Sequence, residues 1–243
     1  MAKHDEISYI ETVARVHDLE VSEFVRYLTD KPFSDPNGAD YLIDLSQIIK
    51  LLPQKPARVL DLGVGPGWTS RIFAQFGYEV VGLDISPQMI EIAGEKIGAL
   101  PLSFHVHDIE NPLDHGHFDC AVFYDSLHHC EDERKALGNV FDALKPGAIL
   151  LIMEPGRGHS KSPGAIEATR KYGTTERDMP LSELKPILRE AGFRELEQYV
   201  RLTSLPLFDL TATTQKFKQL QYCAGLMYEI CKNGLTSLIV ARK

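Results

Sequence analysis

No stretch of the 243-residue chain approaches the roughly 18 apolar residues of a membrane-spanning helix, and the opening MAKHDEISYI lacks the apolar core of a secretory signal. Cysteine is scarce. Cys120, Cys130, Cys223 and Cys231 show no C-x-x-C spacing, so neither a disulfide framework nor a cysteine-built zinc site is indicated. Positive charge is also short: 26 Lys and Arg face 34 Asp and Glu, for a net charge of −8. That balance argues against a protein that holds nucleic acid through phosphate contacts. Low-complexity segments and internal repeats are missing. What is present is ordinary for a globular protein with a sizeable core, 44% hydrophobic and 25% charged residues. The length suits one large α/β domain with a cap better than two full domains. We therefore expect a cytoplasmic, reduced chain without a membrane span, as a monomer or homodimer.

Residues 1–55 carry two helical patterns and no convincing strand. Val21, Phe24, Val25 and Leu28 form one stripe; Tyr41, Leu45, Ile48, Ile49 and Leu52 form the other. Lys31-Pro32 and Asp35-Pro36-Asn37-Gly38 mark the turn between them. From Arg58 the pattern switches repeatedly between strand and helix. Strand-like runs are Arg58–Leu62, Glu79–Asp84, Leu102–His107, Phe118–Tyr124 and Ala148–Met153, most of them nearly continuous apolar runs, as a parallel sheet covered on both faces requires. Ser86-Pro87 reads as an N-cap followed by proline in the first turn, opening a helix to Ile97. Beyond the loop Glu154–Gly164 come a helix from Ser182 to Gly192 and strands at Glu195–Val200 and Ser237–Ala241. The segment between these strands is too long for a hairpin, and Phe217, Leu220, Ala224, Met227 and Cys231 give it a helical stripe. The expected fold is α/β: a doubly wound, mostly parallel seven-stranded sheet with helices on both faces. A helical cap covers 1–55, the main domain spans 56–243, and a helical insert occupies about 205–234.

The strongest motif is Val59-Leu60-Asp61-Leu62-Gly63-Val64-Gly65-Pro66-Gly67, a glycine-rich turn that follows a strand and opens a helix. Its third glycine comes one place too early for a dinucleotide fingerprint. Asp61, Asp84, Asp108, Asp125 and Glu154 each fall at or near the carboxyl end of a strand, the edge at which open parallel sheets bind ligands. Any one of these acids can be a helix cap; five from five strands point to a ligand that carries positive charge.

Here the sequence resembles the class I S-adenosylmethionine (SAM)-dependent methyltransferase family, whose first motif is a strand ending in Asp-x-Gly-x-Gly-x-Gly. Asp84 lies 17 residues after Gly67, where the family places its ribose-binding carboxylate. Asp108 follows the third strand; Phe118–His129 looks like the fourth strand and its loop; Leu144-Lys145-Pro146-Gly147 is similar to the turn closing the cofactor domain. The match covers about 57–155. It implies SAM as cofactor, with S-adenosylhomocysteine as product. The leading expectation for function is methyl transfer to a small or medium acceptor, at oxygen, with that small molecule as the partner. Carried over residue by residue, Asp61 would hold the methionine amino group, with Gly63, Gly65 and Gly67 shaping the turn beside it. Asp84 would hold the ribose and Asp108 the adenine amino group, with Ile85 and Ile109 on the two ring faces. Asp125 and Ser126 would lie nearest the sulfonium.

Seven of the nine histidines fall between His105 and His159. No ligand pair of familiar spacing appears, and Glu154-Pro155-Gly156 stands where metal-dependent catechol-type relatives carry Asp-Asn, so no metal is expected. His129 or His128 is the candidate general base, beside Asp125, because that loop borders the transferred methyl. For the acceptor pocket, Tyr27 and Tyr222 are candidate walls and Glu154 a candidate contact, with Tyr9 and Phe33 in the same cap. No Asn/Asp-Pro-Pro-aromatic tetrapeptide follows the fourth strand, which argues against a base-amino acceptor. Two other readings remain at this point, a nicotinamide-type oxidoreductase and a SAM-binding module without turnover.

Overall fold

The computed structural model describes residues 2–18, 20–201, 220–225, 227 and 237–243. Seven strands, β1 (Arg58–Leu62), β2 (Glu79–Asp84), β3 (Leu102–Val106), β4 (Phe118–Tyr124), β5 (Leu144–Glu154), β6 (Glu195–Val200) and β7 (Ser237–Arg242), form one sheet in the order β3-β2-β1-β4-β5-β7-β6. The first five run parallel to one another, and β7 runs antiparallel to both β5 and β6. Helices α1 (Ala2–Ile7), α2 (Tyr9–His17), α3 (Val21–Thr29) and α4 (Gly38–Leu51) precede the sheet. Between strands come α5 (Trp68–Gln75), α6 (Pro87–Gly94), α7 (Glu133–Ala143), α8 (Pro163–Tyr172) and α9 (Leu181–Ala191).

The continuous apolar strands follow from burial on both sides. Leu60, Leu62, Leu83, Phe123 and Ile152 pack against Leu137 and Val140 of α7 and Leu184 and Leu188 of α9. The alternate residues Val59, Val80, Val122 and Leu151 meet Leu45 and Ile48 of α4 and Phe73 of α5 on the other face. Asp61 points to that second face, inside the core. A third, smaller cluster joins Ile10, Val13, Phe24 and Leu28 to Met89 and Ile92 of α6, which seats the first helices on the domain.

Three helices escape the periodicity reading. Helix α1 is short and largely polar, α2 is a short amphipathic helix that buries Ile10, Val13 and Ala14, and α8 buries only Ala165 while Ile166 lies exposed. Its start nevertheless carries the signal seen at α6. Ser162 precedes Pro163, and its hydroxyl accepts the Ala165 amide at 3.2 Å, as Ser86 accepts Met89. Strand β5 begins at Leu144 instead of Ala148, with a register shift opposite Phe118 and Cys120. β3 stops at Val106 and α6 at Gly94. Most of the expected insert at 205–234 lies outside the described residues; 220–225 are helical.

Gly67 caps α5 at φ 72°, and a Cβ there would lie 2.3 Å from Phe104 Cζ and 2.9 Å from the Ala93 Cβ. Left-handed strain and overpacking add, so Gly67→Ala should lose about 2–4 kcal/mol in urea unfolding. Gly138, inside α7 with open space around it, is the contrast: Gly138→Ala should gain up to about 1 kcal/mol. Equal midpoints for the two variants would contradict this account of the turn.

Candidate functional site

The chain runs outward from β1 through β2 to β3, then returns to place β4 on the other side of β1. A crevice opens where the order reverses, beyond the carboxyl ends of β1 and β4. A cavity of about 350 Å³ lies there. Its floor comes from the strand ends: Gly63 and Gly65 after β1, Asp84 and Ile85 after β2, Asp108 and Ile109 after β3, Asp125 and Ser126 after β4. Its roof comes from Lys3 and Tyr9 of the first helices, Lys31, and Tyr172, Thr174 and Glu176 at and beyond the end of α8.

The floor is tied together through main chain. Gly63 adopts φ 70°, and a Cβ on it would sit 2.5 Å from Ser126 Cβ, so only glycine lets the β1 and β4 loops touch. Ser126 Oγ donates to Leu62 O at 2.7 Å. Asp84 spans two turns: Oδ2 accepts the Gly65 amide and Oδ1 the Ser86 amide, each at 2.8 Å. A Cβ on Gly65 would meet nothing within 4 Å and would enter space beside the cavity. Asp61 and Gly67 are not in the wall. Asp61 is buried, and its Oδ2 accepts the Thr69 and Ser70 hydroxyls at 2.7 and 2.6 Å, which ties β1 to α5. Burial pushes its pKa up to about 6, against the pull of those two hydrogen bonds.

After β4, Asp125 sits at φ 47°, an uncommon backbone for a residue with a side chain. Arg201 holds it: the guanidinium donates to both oxygens of buried Asp44 at 2.9 and 2.6 Å and lies 3.5 Å from Asp125 Oδ2. Sequence reading missed Arg201 and Asp44, 157 residues apart and without a motif. Glu154, expected at the acceptor, is instead buried behind the wall. Its Oε1 accepts the amides of Ser126 and Leu127 at 2.8 and 2.7 Å, and its Oε2 accepts His128 Nδ1 at 2.6 Å. His128 is likewise buried, and outside the cavity wall. Burial works against a charge on its ring, but Glu154 and Glu176 outweigh it and raise the pKa to about 10. Of the two candidate bases, only His129 lines the cavity. Arg177 supports the same loop, donating to the carbonyls of His128 and Cys130.

The roof departs from expectation in its tyrosines. Tyr27 does not line the cavity. Its hydroxyl donates to Asp35 and its ring stacks on Phe24, so the stripe turns it into the helical cluster. Tyr222 is exposed and outside the wall, and Phe33 is 82% exposed over a separate hollow. Tyr9 does line the cavity, with Tyr172 edge-on to it at 5.7 Å. Lys3 closes one end, with Nζ 2.8 Å from Asp108 and 2.9 Å from Glu110. Among the described lining residues, Asp84, Asp108, Glu110, Asp125 and Glu176 outnumber Lys3 and Lys31, so the cavity favours a cation. Histidines and acids also gather in two groups among the described residues, His107 with Asp114 and His115, and His128 with His159 and Glu176. No helix of the described residues is long and apolar enough to cross a membrane.

The family model described as "Methyltransferase domain" matches residues 60–152. An O-methyltransferase of Pyrenophora dematioidea is 31% identical over 182 residues, 68% of this chain and 67% of that protein. Phosphoethanolamine N-methyltransferase 2 of Caenorhabditis elegans is 31% identical over 170 residues; the chain spans only 38% of its length. Among solved structures, Haemonchus contortus phosphoethanolamine N-methyltransferase 2 in complex with S-adenosyl-L-methionine has a TM-score of 0.64 at 21% identity, covering 98% of this chain and 60% of that one. An S-adenosylmethionine-dependent methyltransferase from Mesorhizobium loti has a TM-score of 0.62 at 20% identity, covering 83% and 98%. At such identities the structural likeness concerns the fold. These matches leave the oxidoreductase reading without support.

Asp61 gives this site a pH signature. Its pKa is near 6 in the fold against about 3.9 when unfolded, so the folded state holds the proton more tightly. That contribution is complete below pH 4 and is lost as pH rises through 6, about 3 kcal/mol in all. Asp61→Asn has no proton to lose. Its stability relative to wild type should therefore rise by on the order of 2–3 kcal/mol between pH 4 and pH 7 in denaturant titrations. Parallel pH curves for the two proteins would mean that Asp61 is not desolvated.

Proposed function

Because this chain belongs to the class I SAM-dependent methyltransferase family, we propose that its cavity binds SAM and that the protein transfers the methyl group to an oxygen of a small or medium-sized acceptor. Convergence carries this reading: eight of the ten residues assigned to the cofactor from sequence, Gly63, Gly65, Asp84, Ile85, Asp108, Ile109, Asp125 and Ser126, line one cavity. The donor set also fits the group. SAM has a sulfonium and an ammonium, and five acids surround the space. The open side of Gly65 leaves room that a Cβ would fill.

In this reading Asp84 accepts the ribose hydroxyls with the lone pairs its backbone contacts leave over. Ile85 and Ile109 flank the adenine, and Asp108 faces its amino group, sharing its carboxylate with Lys3. Asp125 and Ser126 face the sulfonium end. Asp61 acts one step back, holding the turn and the start of α5 instead of touching the ligand. Bound SAM supplies an electrophilic methyl group. The chain aligns the acceptor against it, and alignment contributes much of the rate in such an in-line displacement.

Tyr9, Tyr172, Thr174 and Glu176 make the acceptor wall in place of Tyr27 and Tyr222. His129, in the wall beside Ser126, takes the proton that a hydroxyl acceptor sheds. A base at this position supports oxygen, and a relative named as an O-methyltransferase supports it too.

Calorimetry on purified protein should show SAM and S-adenosylhomocysteine binding in the low-micromolar range, and Asp84→Ala should weaken it by roughly 1.5–3 kcal/mol. Unchanged affinity in that variant refutes the ribose assignment.

Turnover is tested separately, with isotopically labelled methyl donor across acceptor pools. His129→Ala should keep its SAM affinity and lose about 10²-fold in kcat. Full turnover in the variant would leave alignment as the whole mechanism. Tight SAM binding with no labelled product from any pool would favour a binding module.

A further inference from the structure

We propose that His128, His159 and Glu176 form a binding site for a divalent transition-metal cation on the acceptor side of the cavity. The three come from separate segments: a single helical turn at Leu127–His129, a second at His159–Lys161, and the stretch after α8. Glu176 Oε2 lies 2.7 Å from His159 Nε2 and 3.6 Å from His128 Nε2. The three ligand atoms all fall within 4.8 Å of one another. An ion with bonds of about 2.0–2.1 Å separates its ligands by roughly 3.3 Å, so small side-chain shifts suffice.

The second observation is the carboxylate behind the histidine. Glu154 takes His128 Nδ1 at 2.6 Å, which fixes the ring and turns Nε2 toward Glu176. Metal-bound histidines are oriented in this way. Two imidazoles and one carboxylate are a borderline donor set, suited to zinc and its neighbours and not to magnesium or calcium. Charge is matched as well: the carboxylates of Glu154 and Glu176 stand against the two positive charges of the ion. The side chains are 4%, 12% and 28% exposed for His128, Glu176 and His159, shielded yet reachable, because Glu176 lines the cavity. Three protein ligands leave a coordination position free for an oxygen ligand. The other group, His107, Asp114 and His115, is weaker: Asp114 is 88% exposed.

The proposal stands on these side chains and not on methyl transfer, so binding is read without SAM or acceptor. Untagged protein stripped with a chelator is titrated with zinc chloride against a chromophoric competitor. One saturable micromolar or tighter site is expected. His159→Ala and Glu176→Gln should each weaken it at least tenfold, and His115→Ala should leave it unchanged. Cooperative melting of each variant, together with retained SAM binding in His159→Ala, shows that loss of zinc is not loss of fold. Absence of saturable zinc binding, affinity unmoved by both His159→Ala and Glu176→Gln, or loss that follows His115→Ala would each overturn the proposal.

Discussion

The carboxylate of Glu154 closes β5 inside the protein, where an uncompensated charge would be costly. It is compensated by what it organises. Two consecutive amides and one imidazole of the loop after β4 are fixed on its two oxygens, and burial notwithstanding, its pKa is lowered by His128 and by those amides. Ser126 is thereby placed against Gly63, His129 against the cavity, and His128 against Glu176. Apolar packing sets where β4 and β5 lie, but this buried ion sets what their ends present.

A division of labour follows along the carboxyl edge. Some acids face the cavity and some face the protein, although all occupy equivalent strand-end positions. Asp84 does both, bracing two turns through its amide contacts while it lines the space. Asp61 and Glu154 point inward and hold secondary structure elements in place. Asp125 is turned by a left-handed backbone and held by Arg201, itself anchored on Asp44 in the second core layer. Burial raises the proton affinity of Asp61, while hydrogen bonds and a cation lower that of Glu154. A carboxylic acid at the same edge thus carries charge in one place and resists it in another.

The parallel core was legible because strands covered on both faces must be apolar throughout, and each helix between them carries a cap or a stop. The cavity floor was legible for a related reason: glycines and acids at strand ends are local in sequence. The roof was not. Its pieces come from α1, α2 and the stretch after α8: α1 has only six residues, α8 buries only Ala165, and although Ile10, Val13 and Ala14 give α2 a short stripe, a stripe does not tell which residues beside it line the ligand space. The stripe in α3 was read correctly as helix, but a stripe does not say which neighbour it meets, and Tyr27 turned to Phe24 and Asp35 instead of the ligand space. Glu154 and His128 were singled out from sequence, yet both are buried behind the cavity wall, because sequence marks a position and not a side-chain direction. Arg201 and Asp44 depend on a contact that only the folded chain creates.

The antiparallel strand has a consequence for the order of assembly. β6 precedes β7 in the chain but touches the sheet only through it, since β7 stands between β5 and β6. Pairing β7 with β5 joins Ile149 to Arg242 and Glu154 to Ser237, closing a loop of more than eighty residues, whereas β1 meets β2 across 21 residues and β4 across 61. Loop-closure entropy and contact order place such a pairing late. Until it forms, β5 presents an unpaired apolar edge, and the strand that ends in Glu154 is supported on one side only. The ligand-facing half of the sheet is thus topologically able to assemble before the strand that locks its far flank.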